Sequence, residues 1–254
     1  MRTPGLLAVA LQPDRLTGAS IAEARARILE RIAIAAQRTG RDPAGVEVVA
    51  VTKTVEPARI REAAAAGFSS FGENRVQERR SKADALADVP AAWHLIGPLQ
   101  SNKARRAIEL FDVIETVDAI DLARRLDRLV AEVRPGRRMR VLLQANVDLD
   151  QAKAGFQPGD LERDLGAILD LPNLAVDGLM TVGRLVERPE DARPTFVRLR
   201  ELSERLRARD PRLGSALSMG MTDDYPIAVE EGATIVRIGR AIFGERPGHE
   251  HAAG

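Results

Sequence analysis

From position 46 onward, short apolar runs alternate with segments whose apolar residues recur at helical spacing. Eight runs predict strands: Val46 to Thr52, Phe68 to Phe71, Trp93 to Ile96, Val113 to Val117, Met139 to Val147, Leu174 to Met180, Ala216 to Met219 and Thr234 to Ile238. The intervening patterns predict helices. The first opens near Pro57 and stops before Gly67, the usual placing of proline and glycine at helix ends. Others follow over Arg75 to Ala87, Asn102 to Leu110, Ile120 to Val133, Asp160 to Asp170, Asp191 to Ala208 and Tyr225 to Glu231, with a short turn from Arg240 toward Phe243. Ahead of the alternation, Ser20-Ile21-Ala22-Glu23 has the form of a capping box. Ile21, Ala24, Ile28, Ile32 and Ala35 then line one helical face, and Gly40 stands where that helix stops.

Eight strands, each followed by a helix, predict an α/β protein: a single (β/α)8 TIM barrel over residues 20–245 with an extra N-terminal helix. An open doubly wound sheet would need a glycine-rich phosphate turn after its first strand, and Val51-Thr52-Lys53-Thr54-Val55 holds no glycine. Residues 1–19, with Pro4, Pro13, Gly18 and no periodicity, read as a flexible lead-in, and 246–254 as a disordered polar tail. His249 and His251 in that tail are read as solvated.

Composition narrows the partners. The 254 residues carry 38 basic against 37 acidic side chains, a formal charge of +1, which argues against nucleic acid as the main partner. No apolar run approaches the roughly 20 residues that span a bilayer, and Leu6 to Leu11 is too short for a signal-peptide core. A cytoplasmic protein without a membrane partner is expected. Without Cys there is no thiolate nucleophile, disulfide or thiolate metal site, and no metal is expected. Of the 38 basic residues only Lys53, Lys82, Lys103 and Lys153 are lysines. A chain that otherwise uses arginine, and keeps lysine at a strand end, points to a need for an amine that can lose its proton.

In such barrels the working residues gather at the carboxyl ends of the strands. Those ends supply Lys53, Gly72-Glu73-Asn74, Gly97 to Gln100, Asn146, Thr181, Ser218-Met219-Gly220 and Arg237-Ile238-Gly239. Lys53 follows a buried strand, where desolvation favours the neutral amine that bonds an aldehyde as a Schiff base. The loops after strands seven and eight often bind phosphate through backbone N–H groups. Here they hold Ser218, Gly220, Gly239 and Arg240. An amine opposite a phosphate cradle suits pyridoxal 5′-phosphate (PLP). It equally suits a sugar phosphate in a Schiff-base aldolase.

Six ordered motifs separate these readings. Ala50-Val51-Thr52-Lys53, the run from Phe71 to Glu78, Trp93 to Lys103, Gly178 to Thr181, Leu217 to Asp224 and Val236 to Gly244 resemble the pyridoxal phosphate homeostasis family. The resemblance runs from about residue 20 to 245. It implies a barrel of the kind that forms the first domain of alanine racemase, acting as a monomer with PLP as cofactor. PLP would be held as a Schiff base on Lys53, with phosphate at Ser218 and the backbone of Gly239 and Arg240. Arg237 would face the ring nitrogen, and Asn74 would lie beside the ring. A permanently charged guanidinium there weakens the ring as an electron sink. Arg240 departs from the threonine expected at its place.

The function this implies is PLP storage, buffering or delivery to PLP-dependent apoenzymes, without robust catalysis. Racemization in the two-domain relatives needs a second acid/base, and Tyr225 is the single tyrosine. The alternative is a PLP-dependent racemase or decarboxylase of weak activity, and a purely regulatory protein is the weaker rival. His94 reads as a hydrogen-bonded structural histidine, Asp223-Asp224 as a cap for the helix at Tyr225, and 198–212 as a solvated, ion-paired face. Lys103 is placed near the mouth without a role.

Overall fold

The structure, a computed structural model, describes residues 20–184 and 186–244. The lead-in and the polar tail with its two histidines lie outside the described residues.

Eight parallel strands close into a barrel in sequence order: β1 (Glu47–Val51), β2 (Ser70–Glu73), β3 (Ala92–Leu95), β4 (Val113–Val117), β5 (Met139–Gln144), β6 (Leu174–Met180), β7 (Ala216–Ser218) and β8 (Ile235–Ile238). Closure is made by β8 against β1, in register from Glu47 opposite Ile235 to Ala50 opposite Ile238. Every residue of β2, β4 and β8 is buried, as expected of strands covered on both faces.

The helices follow the strands: α1 (Ile21–Arg38) first, then α2 (Pro57–Ala65), α3 (Val76–Lys82), α4 (Ala104–Leu110), α5 (Ile120–Val133), α6 (Pro158–Leu169), α7 (Arg193–Arg209), α8 (Tyr225–Glu230) and α9 (Arg240–Phe243). The predicted capping box of α1 forms in both directions: Glu23 N–H donates to Ser20 Oγ, and Ser20 N–H to the Glu23 carboxylate. α1 packs against α8 and beside the single-turn α9. Arg41 ties the end of this arm to the carbonyls of Val229 and Ala233.

Two apolar compartments result. The larger fills the sheath between strands and helices, from Ile28 and Ile32 of α1 through Phe71, Phe111, Leu126 and Phe196. The smaller lies on the inner face of the barrel and consists of Val49, Leu142, Met180 and Ile235 with Ala216 against them. Among the described residues no helix is long and apolar enough to cross a membrane.

Predicted strand five ran to Val147, whereas β5 stops at Gln144. The amide of Asn146 is the reason. It donates to the carbonyls of Asp150 and Lys153 and accepts from Asp150 N–H, so the chain folds into a loop there. Strand two lies two residues later than predicted at each end, because Phe68 leaves the sheet and packs under Arg25 of α1.

Candidate functional site

The carboxyl end of β1 is built to hold one segment still. Thr52 is fully buried, and its carbonyl accepts from Lys82 Nζ at 2.8 Å. Its hydroxyl donates to Glu73 Oε1 at 2.8 Å, and Lys82 reaches that same oxygen at 2.8 Å. Burial raises the Glu73 carboxyl above its ordinary range, with Lys82 and Thr52 pulling the other way. This knot joins β1, β2 and α3 directly behind Lys53. It also explains a second lysine: a compact ammonium donates to two acceptors where a planar guanidinium has another shape.

Lys53 itself is half-buried, and the next residue, Thr54, sits at φ 63°. A β-branched side chain in the left-handed region is strained by about 1–3 kcal/mol, and such strain concentrates at functional sites. Thr54 Oγ1 donates to the Lys53 carbonyl at 2.6 Å. Lys53 borders a cleft of about 220 Å³ whose walls include Val51, Arg59, Gly239, Arg240 and Phe243.

The second half of the site is a string of polar groups through the barrel interior. Arg237 of β8, buried, donates from Nη1 to Ser218 Oγ at 2.6 Å and from Nη2 to the Thr181 carbonyl at 2.8 Å. Ser218 donates its proton to Glu115 Oε2 at 2.5 Å. The other oxygen of Glu115 accepts from His94 Nδ1 at 2.7 Å. His94 Nε2 lies 3.6 Å from Glu47 Oε1, an ion-pair distance, and Ser70 donates to that oxygen at 2.5 Å. Burial opposes charge on His94, but Glu115 and Glu47 outweigh it and push the imidazole up to about 9. In return His94, with Ser70 and Arg140, holds Glu47 down to about 2 against burial. Burial works against ionised Glu115 too, yet His94 and Arg237 keep its carboxyl below the ordinary value.

The expected site residues thus come together in part. Lys53, Gly239 and Arg240 share the cleft. Asn74, half-buried, packs its backbone so closely on Gly97 that a Cβ there would lie 2.3 Å from the Asn74 carbonyl oxygen. Ser218 and Arg237 form a buried hydrogen-bonded pair. The Ser218 hydroxyl donates to Glu115 Oε2, and its oxygen accepts from Arg237. The two glycines differ. Gly220 has φ +91°, and a Cβ would meet the Ala228 methyl at 2.5 Å, so its turn demands glycine. Gly239 has φ −117° and a Cβ would make ordinary contact with Val51, so the protein's own packing makes no such demand.

Other expectations are corrected. Asp223 and Asp224 do not cap α8 through their side chains. Asp224 instead accepts from Met221 N–H at 2.6 Å, and Asp223 pairs with Arg240, turning that guanidinium to the rim. Asn146 spends its amide on its own loop. As a solvated face should, Arg198, Arg200, Arg205, Arg209 and Arg212 pair with acidic residues, among them Arg198 with Asp148 and Arg209 with Glu162. Glu115 and the Lys82–Glu73 pair went unread. Their signal was available for Glu115, a charged residue at the centre of the apolar run Val113 to Val117, where burial on both faces demands partners.

The alanine racemase N-terminal domain family matches residues 24–247. The pyridoxal phosphate homeostasis protein of Pseudomonas aeruginosa is 45% identical over 230 residues, 89% of this chain and 96% of that protein. The same-named protein of Aquifex aeolicus is 41% identical over 224 residues, 88% and 97% of the two chains. Among solved structures, PipY of Synechococcus elongatus with PLP bound superposes with a TM-score of 0.78 at 41% identity, covering 89% of this chain and all of that one.

Proposed function

The chain belongs to the pyridoxal phosphate homeostasis family, built on the alanine racemase N-terminal domain, and from that premise we propose that it binds PLP covalently through Lys53 and keeps it for delivery. The observation that carries this reading is Lys53, half-buried just past the end of β1 and lining the same cleft as Gly239 and Arg240.

The donor set suits the group. The Lys53 nitrogen would bond the aldehyde carbon with loss of water, held in place by the Thr52–Lys82–Glu73 knot behind it. Gly239 and Arg240 offer backbone N–H groups at the start of α9 for the phosphate. Arg237 would offer its guanidinium to the ring nitrogen, and Asn74 would border the ring, as the family resemblance implies. Ser218, at the end of β7, would by the same resemblance add its hydroxyl to the phosphate, and it also holds Arg237. When bound, PLP supplies an electron-withdrawing ring, and a guanidinium beside its nitrogen limits that pull.

Storage and delivery, rather than turnover, is supported by where the other acid/base groups lie. Tyr225 has no exposure and stacks under Arg31 of α1, 5.2 Å from its ring centre. His94 is sealed in the barrel interior between two carboxylates. Neither is placed at the mouth to exchange a proton with a substrate carbon. The reading extends to a cytoplasmic monomer that passes PLP to PLP-dependent apoenzymes.

The test is the visible absorption spectrum of the protein with PLP beside that of Lys53→Ala. A lysine-dependent band is expected in the unsubstituted chain and is lost in the variant, which retains PLP only loosely. A band that survives the substitution, or no band in either, overturns the proposal. Saturable racemization of L-amino acids would overturn the storage role alone.

A further inference from the structure

The polar string inside the barrel does more than fill space. TIM-barrel interiors are ordinarily packed with branched apolar side chains in layers. Here that packing is confined to the cluster around Val49, Leu142, Met180 and Ile235. The remainder includes Glu47, His94, Glu115, Ser218 and Arg237, from β1, β3, β4, β7 and β8. Resting on the PLP reading above, we propose that Glu115 is a positioning residue for the cofactor: through Ser218 it sets the Arg237 guanidinium that meets the ring, and His94 anchors Glu115 from behind.

Glu115 has no solvent exposure, and each oxygen has one task. Oε1 takes the His94 proton at 2.7 Å; Oε2 takes the Ser218 proton at 2.5 Å and lies 3.9 Å from Arg237 Nη1. Ser218, its proton thus directed, presents an oxygen lone pair to Arg237 at 2.6 Å. The Thr181 carbonyl holds the other end of the guanidinium. Rotating Arg237 therefore means breaking a bond to Ser218 that Glu115 has oriented.

Charge makes the same point. Glu115 lies between two cations, Arg237 and His94, with Glu47 beyond His94, Arg140 beside Glu47, and Asp224 acting on Arg237. Taking the charge from Glu115 leaves a buried guanidinium short of its counter-ion, a costly state. Histidine escapes it by losing its proton; arginine does not. Arg237 is then expected to shift toward water at the mouth and to lose its aim at the ring.

Glu115→Gln keeps the shape and removes the charge. Two ligands separate its effects: PLP, and pyridoxal, which has the ring and aldehyde but no phosphate. We expect Glu115→Gln to weaken both by a similar factor of about ten or more, the loss of one charge-assisted hydrogen bond, and to move the visible band. In the cofactor-free protein, NMR titration of the His94 ring is expected to fall from about 9 to below the ordinary histidine value. Ser218→Ala, which breaks the same link, is expected to weaken pyridoxal as well as PLP.

Unchanged affinity and spectrum in Glu115→Gln, with a normal band in the unsubstituted chain, overturns the inference and leaves PLP binding standing. A loss confined to PLP in Ser218→Ala, with pyridoxal affinity unchanged, shows that the Ser218 link does not aim Arg237 and likewise overturns it. No band in the unsubstituted chain overturns both. If Glu115→Gln does not fold, Ser218→Ala decides the matter by itself.

Discussion

The sheath outside the strands and the space inside them are built by opposite rules. The sheath is continuous and apolar, and each helix contributes a stripe at regular spacing, such as Leu122, Ala123, Leu126 and Val130 of α5. The interior has one small apolar layer and a string of charged groups, of which Glu115, His94 and Arg237 are buried and Glu47 is half-buried. Burial of apolar surface drives folding, whereas buried ion pairs return little net stability and impose one arrangement. The difference teaches where each property resides: the sheath carries stability, and the interior carries the aim of the groups at the mouth.

The largest expected effect breaks the sheath alone. Phe196 of α7 is 1% exposed, and Phe196→Ala should cost roughly 4 kcal/mol through lost transfer energy and the cavity left behind. Urea unfolding would measure it. PLP affinity of the folded fraction should stay within about twofold, because Phe196 belongs to the sheath cluster and not to the interior one. A tenfold loss of affinity would show that the two compartments are not separable.

The second effect belongs to the interior and follows pH. His94 has a folded value of about 9 against 6.5, so its contribution is fully present below pH 6.5 and is lost as pH rises through 9. Glu47 has the opposite sign: at about 2 against 4.5, its contribution is present above pH 4.5 and is lost as pH falls through 2. Both shifts describe largely the same contacts, so they are not summed. For His94 the linkage amounts to roughly 3 kcal/mol between pH 6 and pH 10. Urea midpoints measured across that range should fall in the unsubstituted protein and change less in Glu115→Gln. A flat profile in the unsubstituted protein would refute the charged state assigned to His94.

The same contrast governs what was legible in the sequence. Elements of the sheath were read well: β4, β6 and α5 match the expected bounds, because apolar spacing records which face meets a partner. So was Lys53, since its place at a strand end follows from the strand. The interior was read poorly. Periodicity marks Glu115 as an interruption and says nothing of His94 at its side, because their contact joins two strands and depends on barrel closure. Lys82 was counted as one of four lysines, yet its partners, Thr52 and Glu73, lie 30 and 9 residues back along the chain. Thr54 at φ 63° left no trace, since nothing in its side chain announces a left-handed backbone.

The smallest expected effect lies at the rim, where neither rule applies. Arg240 stands where the family resemblance led us to expect threonine, and its guanidinium pairs with Asp223, both side chains well exposed. Exposed pairs contribute about 0–1 kcal/mol, since water screens them and two long side chains lose freedom. Arg240→Thr should therefore change stability by less than about 1 kcal/mol in thermal unfolding. The backbone N–H of residue 240 survives the substitution, and with it the proposed phosphate contact. PLP affinity should change by no more than about threefold, with any loss reduced by raised salt, since a long-range charge is screened within about 10 Å at 0.1 M. Should Arg240→Thr instead abolish PLP binding at every salt concentration, the guanidinium would have to leave Asp223 and grip the phosphate directly. The rim would then join the interior as a place where a single charged contact sets the site.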